Sequence, residues 1–207
     1  MRFRDLIIAV IILAVVSGFS GCKSSGRGGG GIFGPKDDME EAARLVAEAN
    51  QELRKIKDLY NENEGYQDKP GKRQQLKKAL EENNAEQVKK ISDDVVYLIN
   101  DGMDYARAAI EKLQKAQDLN INPDYKEYLR LKEMALTKQV EAFEQYRQAA
   151  RSLRDNYDPK NDKMRAKVKE EFDQRSDNYR ALMEKARDYS SQANEIARDA
   201  IRRSTGQ

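Results

Sequence analysis

The sequence predicts an all-α protein, an elongated antiparallel helical bundle with coiled-coil-like heptad seams. Three observations carry this prediction. Apolar residues recur at alternating spacings of three and four through most of residues 37–207, the period of one helix face. Charged residues make up 36% of the chain against 39% hydrophobic, which suits helices with narrow apolar seams and broad solvated faces and leaves too little apolar surface for a two-sided sheet. No stretch alternates apolar and polar residues over a useful strand length.

The elements follow in order. Asp37 and Glu40 have the spacing of a capping box, which satisfies the first unpaired N–H groups of a helix. Met39, Ala42, Val46, Ala49, Leu53, Ile56 and Tyr60 then mark one helical face. The pattern stops at residues 61–71 (NENEGYQDKPG), whose Gly, Pro and Asn content predicts a loop. Residues 72–82 read as a short helix with Leu76, Ala79 and Leu80 on one side. Asn83-Asn84 is a candidate break, and Asn84 with Gln87 forms a second capping box. Val88, Ile91, Val95, Leu98, Gly102, Tyr105 and Ala109 continue as a seam, which predicts one helix across Asn100-Asp101-Gly102.

Asn122-Pro123-Asp124 places proline at a first helical position, where its missing N–H costs little. The helix it opens runs to about Asn156, with Leu136, Val140, Phe143, Tyr146, Ala150 and Leu153 as its seam. Asp158-Pro159 repeats the start signal for a last helix over residues 160–202. Its seam reads Phe172, Arg175, Tyr179, Leu182, Ala186, Tyr189, Ala193, Ile196 and Ala200. Glu40/Arg44, Glu86/Lys90, Glu111/Lys115 and Glu171/Arg175 sit at i,i+4 in the favourable order. Short connections at 119–123 and 157–159 require antiparallel neighbours, most simply an up-down-up-down four-helix bundle. At about 1.5 Å per residue the last helix is near 65 Å long and the first near 35 Å. That mismatch predicts an apolar strip on the last helix left uncovered within the chain.

Residues 1–36 have a different character. Arg2 and Arg4 precede an uninterrupted apolar run at 6–16, and small residues then lead to Cys22, the only cysteine. A charged start, a short apolar core and a small-residue cleavage site make a secretory signal peptide. Eleven apolar residues span about 16 Å, well short of a hydrocarbon core of some 30 Å, so a permanent membrane helix is disfavoured. Residues 23–36 (KSSGRGGGGIFGPK) contain six glycines and read as a flexible linker with a typical reach of about 20 Å. Neither the preceding strand nor the Lys-Ser/Thr of a phosphate-cradling loop accompanies them.

Phe19-Ser20-Gly21-Cys22 resembles the lipobox of bacterial lipoprotein precursors, departing from it at Phe19, where the family usually has leucine. The resemblance implies cleavage after residue 21, lipidation of Cys22, a tether at 22–36 and a helical domain at 37–207. Ordinary cleaved secretion is the next reading. The resemblance also implies the cell envelope, with the domain outside the cytoplasm. Lys23 in place of the aspartate used for inner-membrane retention leans towards the periplasmic side of the outer membrane if the organism is Gram-negative. The chain ends in Gln207, so attachment to peptidoglycan through a terminal lysine is not supported.

Composition narrows the chemistry. Histidine is absent, which excludes Ser-His-Asp and Cys-His catalysis, histidine-ligated haem and Glu-x-x-His metal sites. Lipidated, Cys22 leaves no thiol, and a single cysteine forms no internal disulfide. The net charge is +2 and the basic excess sits before residue 37, so there is no basic field for nucleic acid. The carboxylate pairs Glu81-Glu82, Asp93-Asp94 and Glu170-Glu171 read as solvated helix faces, the abundant product of 36 acidic residues. No metal or cofactor is expected. Among ten tyrosines, Tyr60, Tyr105, Tyr146, Tyr179 and Tyr189 fall on the seams, where packing is the plainer reading and an aromatic groove the functional one.

The domain resembles small helical cell-wall-binding lipoproteins in its helix-rich character alone. The expectation is a lipid-anchored, non-enzymatic structural or adaptor subunit that binds an envelope protein, the cell wall or a second copy of itself. Its candidate contact residues are Arg175, Tyr179, Leu182, Tyr189 and Ile196 of the last helix. The alternative is a helical binding module for a small ligand or glycan, which requires a formed pocket near the seam tyrosines. An enzyme is the least favoured class.

Overall fold

A computed structural model describes residues 38–66 and 69–205. Cys22, the signal and linker segments and Asp37 lie outside the described residues. The helices are α1 (Met39–Glu64), α2 (Lys72–Glu81), α3 (Ala85–Asp118), α4 (Pro123–Asn156) and α5 (Asp162–Thr205). A two-stranded ladder, β1 (Gly65–Tyr66) antiparallel to β2 (Lys69–Pro70), joins α1 to α2. The fold is an all-α helical bundle, as predicted.

Local chemistry explains most helix ends. α1 continues through residues 61–64, where a loop was expected, because its stretch lacks glycine and proline until Gly65, which bends away at φ +95°. Gly65 and Gly71 then touch backbone to backbone: a Cβ on Gly71 would lie 2.2 Å from the Gly65 nitrogen. At the end of α2, Asn83 adopts φ +53°, Asn84 N donates to Ala79 O and Asn83 N donates to Leu80 O. This left-handed cap realises the predicted break at Asn83-Asn84. Asn84 Oδ1 accepts from Gln87 N at 3.1 Å, capping α3, which runs unbroken through Gly102. Asn122 Oδ1 caps α4 by accepting from Asp124 N at 2.8 Å. α5 starts later than Asp158-Pro159 suggested: Asp158 Oδ1 accepts from Lys160 N in a turn, and Asn161 Oδ1 accepts from Met164 N.

The chain divides into two compact units, to each of which α1, α3, α4 and α5 contribute a segment. The first comprises residues 55–104 and 140–183 and contains the ladder and α2. Its core joins Leu76, Ala79 and Leu80 of α2 to Val88, Val95 and Met103 of α3, Phe143 and Leu153 of α4, and Phe172, Tyr179 and Met183 of α5. Asp93 with Arg154 and Asn100 with Arg147 link α3 to α4 in antiparallel order. The second unit comprises 38–54, 105–139 and 184–205 of the described residues. There α3 and α5 bury mainly alanines, among them Ala106, Ala109, Ala193 and Ala200, whereas α4 supplies Tyr125, Tyr128, Leu129 and Leu136. Small residues on two helices leave room for large ones on a third.

The seam of α5 differs from the expected one by a rotation. Phe172, Tyr179, Ala186, Ala193 and Ala200 are buried as expected. Their inner companions are Ser176, Met183 and Ser190, while Arg175, Leu182, Tyr189 and Ile196 are only half-buried on the flank. Ser176 can turn inward because its hydroxyl donates to the Phe172 carbonyl at 2.7 Å. Among the surface pairs, Arg44 engages Glu41 and Glu48, each at 2.5 Å, where Glu40 was expected. Glu111/Lys115 forms at 2.7 Å, and Glu171/Arg175 approaches to 3.9 Å.

Candidate functional site: an apolar groove in the first unit

α1, α3 and α4 enclose an open groove in the first unit, about 440 Å³ with its solvent-filled mouth included. Ile56, Leu59, Tyr60 and Asn63 line it from α1. Their spacing of three, one and three places them on one helical face. Leu98, Ile99 and Gly102 line it from α3, and Phe143 and Tyr146 from α4. Gly102 opens the wall by lacking a side chain: a Cβ there would meet only Leu59 Cδ1, at 3.8 Å.

Asn63 is the one amide in this lining and is 8% exposed. Its Nδ2 donates to Glu64 Oε1 at 3.2 Å, while its buried Oδ1 has no hydrogen-bond partner. An unmet buried acceptor is costly and asks for an N–H or O–H. Beside it, burial pushes the Tyr146 hydroxyl up, the Asn63 side chain opposes that rise, Glu64 adds to it and Arg73 counters it. Burial likewise raises Tyr60, with the same two charges acting in opposite directions. Those charges form an ion pair, Arg73 Nη1 to Glu64 Oε2 at 2.7 Å, and α2 holds Arg73 in place through the Gly65/Gly71 contact. The Tyr146 ring meets Tyr179 edge-on, with centroids 6.4 Å apart, which braces the α4 wall against α5.

The arrangement can hold an apolar group and accept one hydrogen bond. Besides the hydroxyls of Tyr60 and Tyr146, its lining contains no serine, threonine or cysteine and no carboxylate or amine. Elsewhere members of the carboxylate pairs have partners of their own: Asp93 binds Arg154 at 2.9 Å, Asp94 binds Lys72 at 2.7 Å, and Glu171 accepts from the neutral Ser152 Oγ at 2.7 Å. Among the described residues no cluster of His, Cys, Asp or Glu could hold a metal ion, and no helix is long and apolar enough to cross a membrane.

The expected contact strip on α5 is not gathered into this site. Tyr179 is 3% exposed in the core of the first unit, which corrects the expectation that the strip lies uncovered there. Leu182 packs against that core. Arg175 Nη1 donates to Gln145 Oε1 at 3.1 Å, so its head reaches α4. In the second unit Tyr189 and Ile196 are half-buried, and Arg203 reaches Asp124 at 2.6 Å, so the first turn of α4 stands beside the end of α5. Helix length alone missed this because the cover comes from α4, whatever the length of α1. Two seam tyrosines, Tyr60 and Tyr146, do line the groove, whereas Asn63 and Leu59 were missed because residues 61–64 read as loop and Leu59 lay one position off the seam.

Comparisons with known protein families, with characterised proteins and with solved structures find no match.

Proposed function

We propose that this chain is a lipid-anchored, non-enzymatic adaptor of the bacterial cell envelope that holds an apolar group of a protein partner in the groove of its first unit. The observation that carries the binding reading is the groove itself: apolar walls from three helices around one buried acceptor, Asn63 Oδ1, with no hydrogen-bond partner. The lipobox resemblance at Cys22 supports the location. The absence of histidine, and of any thiol once Cys22 is thioether-linked to lipid, supports binding without turnover.

A photo-crosslinking residue in place of Leu98, tested in the native cell, is expected to give one discrete adduct. The same residue at exposed Lys185 should give none. Gly102→Leu, which fills the groove, should abolish the adduct while leaving the helical content intact. Equal labelling from both positions, or an adduct that survives Gly102→Leu, would refute the adaptor reading. A second reading, a small-ligand module, is favoured by the presence of Tyr60 and Tyr146 in a formed pocket. The apolar lining suits an aliphatic or aromatic ligand better than a glycan, whose hydroxyls need several polar partners. A low-molecular-weight adduct in place of a protein one would decide for it.

A further inference from the structure

The outward face of α3 in the first unit carries a charge pattern that complements its own reverse. Lys90, Tyr97 and Asp104 are all exposed, and each stands seven residues from the next. Seven residues make almost two full turns, so the three lie along one stripe of the helix, with a rise of about 10.5 Å between them. Tyr97 is 64% exposed, the most exposed large apolar side chain among the described residues. One turn before it the neighbours are held across helices, Asp93 by Arg154 at 2.9 Å and Asp94 by Lys72 at 2.7 Å. An exposed aromatic ring beside fixed polar groups has the anatomy of an interface anchor with its rim.

We infer that this face is a contact between two copies of the chain, with α3 antiparallel to α3 of the second copy and the twofold axis at Tyr97. Rotation about that axis brings the residue seven places before Tyr97 opposite the residue seven places after it. Lys90 therefore meets Asp104 of the second copy, and Asp104 meets the second copy's Lys90, so the two ion pairs form together. The two Tyr97 rings meet at the centre and cover the apolar surface that each chain alone exposes. In the same register Asp101 comes opposite Asp93 of the second copy, whose charge Arg154 already balances. Parallel pairing would set Lys90 against Lys90 and Asp104 against Asp104, so the charges select the antiparallel arrangement. Exposed ion pairs add little affinity, and one pair of helix faces buries less than the roughly 1,200–2,000 Å² of a stable interface. The contact is accordingly weak between free molecules and forms where copies are concentrated, as anchoring through Cys22 would concentrate them on one bilayer. None of its residues lines the groove of the first unit.

The test places a photo-reactive phenylalanine at position 97 of the full chain in its native cell. Illumination is expected to join two copies of the chain into one adduct of twice the mass. Lys90→Asp or Asp104→Lys, each added to that background and expressed alone, should cut the adduct about tenfold, because each sets like charges against each other at both ends of the contact. Expressed together with different tags, the two variants should recover an adduct that carries both tags, since each then supplies the charge that the other lacks. Gly102→Leu, which fills the groove, should leave the adduct unchanged, so this contact and the groove reading fail separately. The absence of a self-adduct, or an adduct with a different protein in its place, would overturn the assignment. So would an adduct indifferent to both charge substitutions, one that Gly102→Leu abolishes, or a mixed pair that does not recover.

Discussion

At the scale of single residues, position and chemical type compete, and Lys132 illustrates the contest. It stands four residues from Tyr128 and from Leu136, a spacing that belongs to the inner face of α4, yet a lysine reads as solvent-facing because exposure is its usual fate. Desolvation lowers its pKa from 10.5 to about 8. Between those values the unfolded chain binds a proton that the folded one does not, so this residue makes stability rise with pH across that window and leaves it flat below. Lys132→Met is therefore expected to stabilise the protein at pH 7 by up to about 3.5 kcal/mol, less what the lost contacts with Asn194 and Tyr128 contribute, since each tenfold loss of proton affinity on folding corresponds to about 1.4 kcal/mol. The gain should shrink as pH rises from 8 towards 10.5; urea midpoints of both proteins across that range measure it, and a pH-independent difference would contradict the linkage. Gly102 gives a second residue-scale expectation. Its helical position and the open space in front of it predict that Gly102→Ala adds about 0.5–1 kcal/mol to stability while narrowing the groove.

At the scale of elements, what is local was legible. The caps at Asn84 and Asn122 and the break at Asn83 depend on hydrogen bonds among residues a few positions apart, and the sequence announces them. The start of α5 shows how such a signal is diverted: Asp158 closes a turn onto Lys160, and Asn161 does the capping instead. Asn161→Ala should cost about 1 kcal/mol by thermal unfolding, with Asp158→Ala costing α5 less. Gly71→Ala should cost more, about 2 kcal/mol or above, because its Cβ would collide with backbone that has no side chain to move aside. The rotation of α5 has its own test. Met183→Ala should lose about 2–4 kcal/mol and half-buried Leu182→Ala clearly less, whereas a seam through Leu182 would reverse that order.

At the scale of the whole molecule, the expected attachment runs through Cys22. Cys22→Ala is expected to leave an unprocessed or mislocalised precursor, read by membrane fractionation and by mass; equal processing and equal membrane association of both proteins would overturn the lipoprotein reading. Two anchoring chains hold a protein at a bilayer where one holds it only marginally. The sequence by itself determined the helical class, the number of long helices and most of their ends. Period and capping are properties of neighbouring residues, and those neighbours are present in any short window. The tertiary structure alone decided which of two adjacent stripes of α5 faces inward, that Tyr179 is core, that Asn63 forms part of a groove wall, and that Lys132 is enclosed. Each of these depends on side chains from helices distant in sequence. A stripe becomes an interior only when another helix covers it, and the residue that covers it can be a hundred positions away.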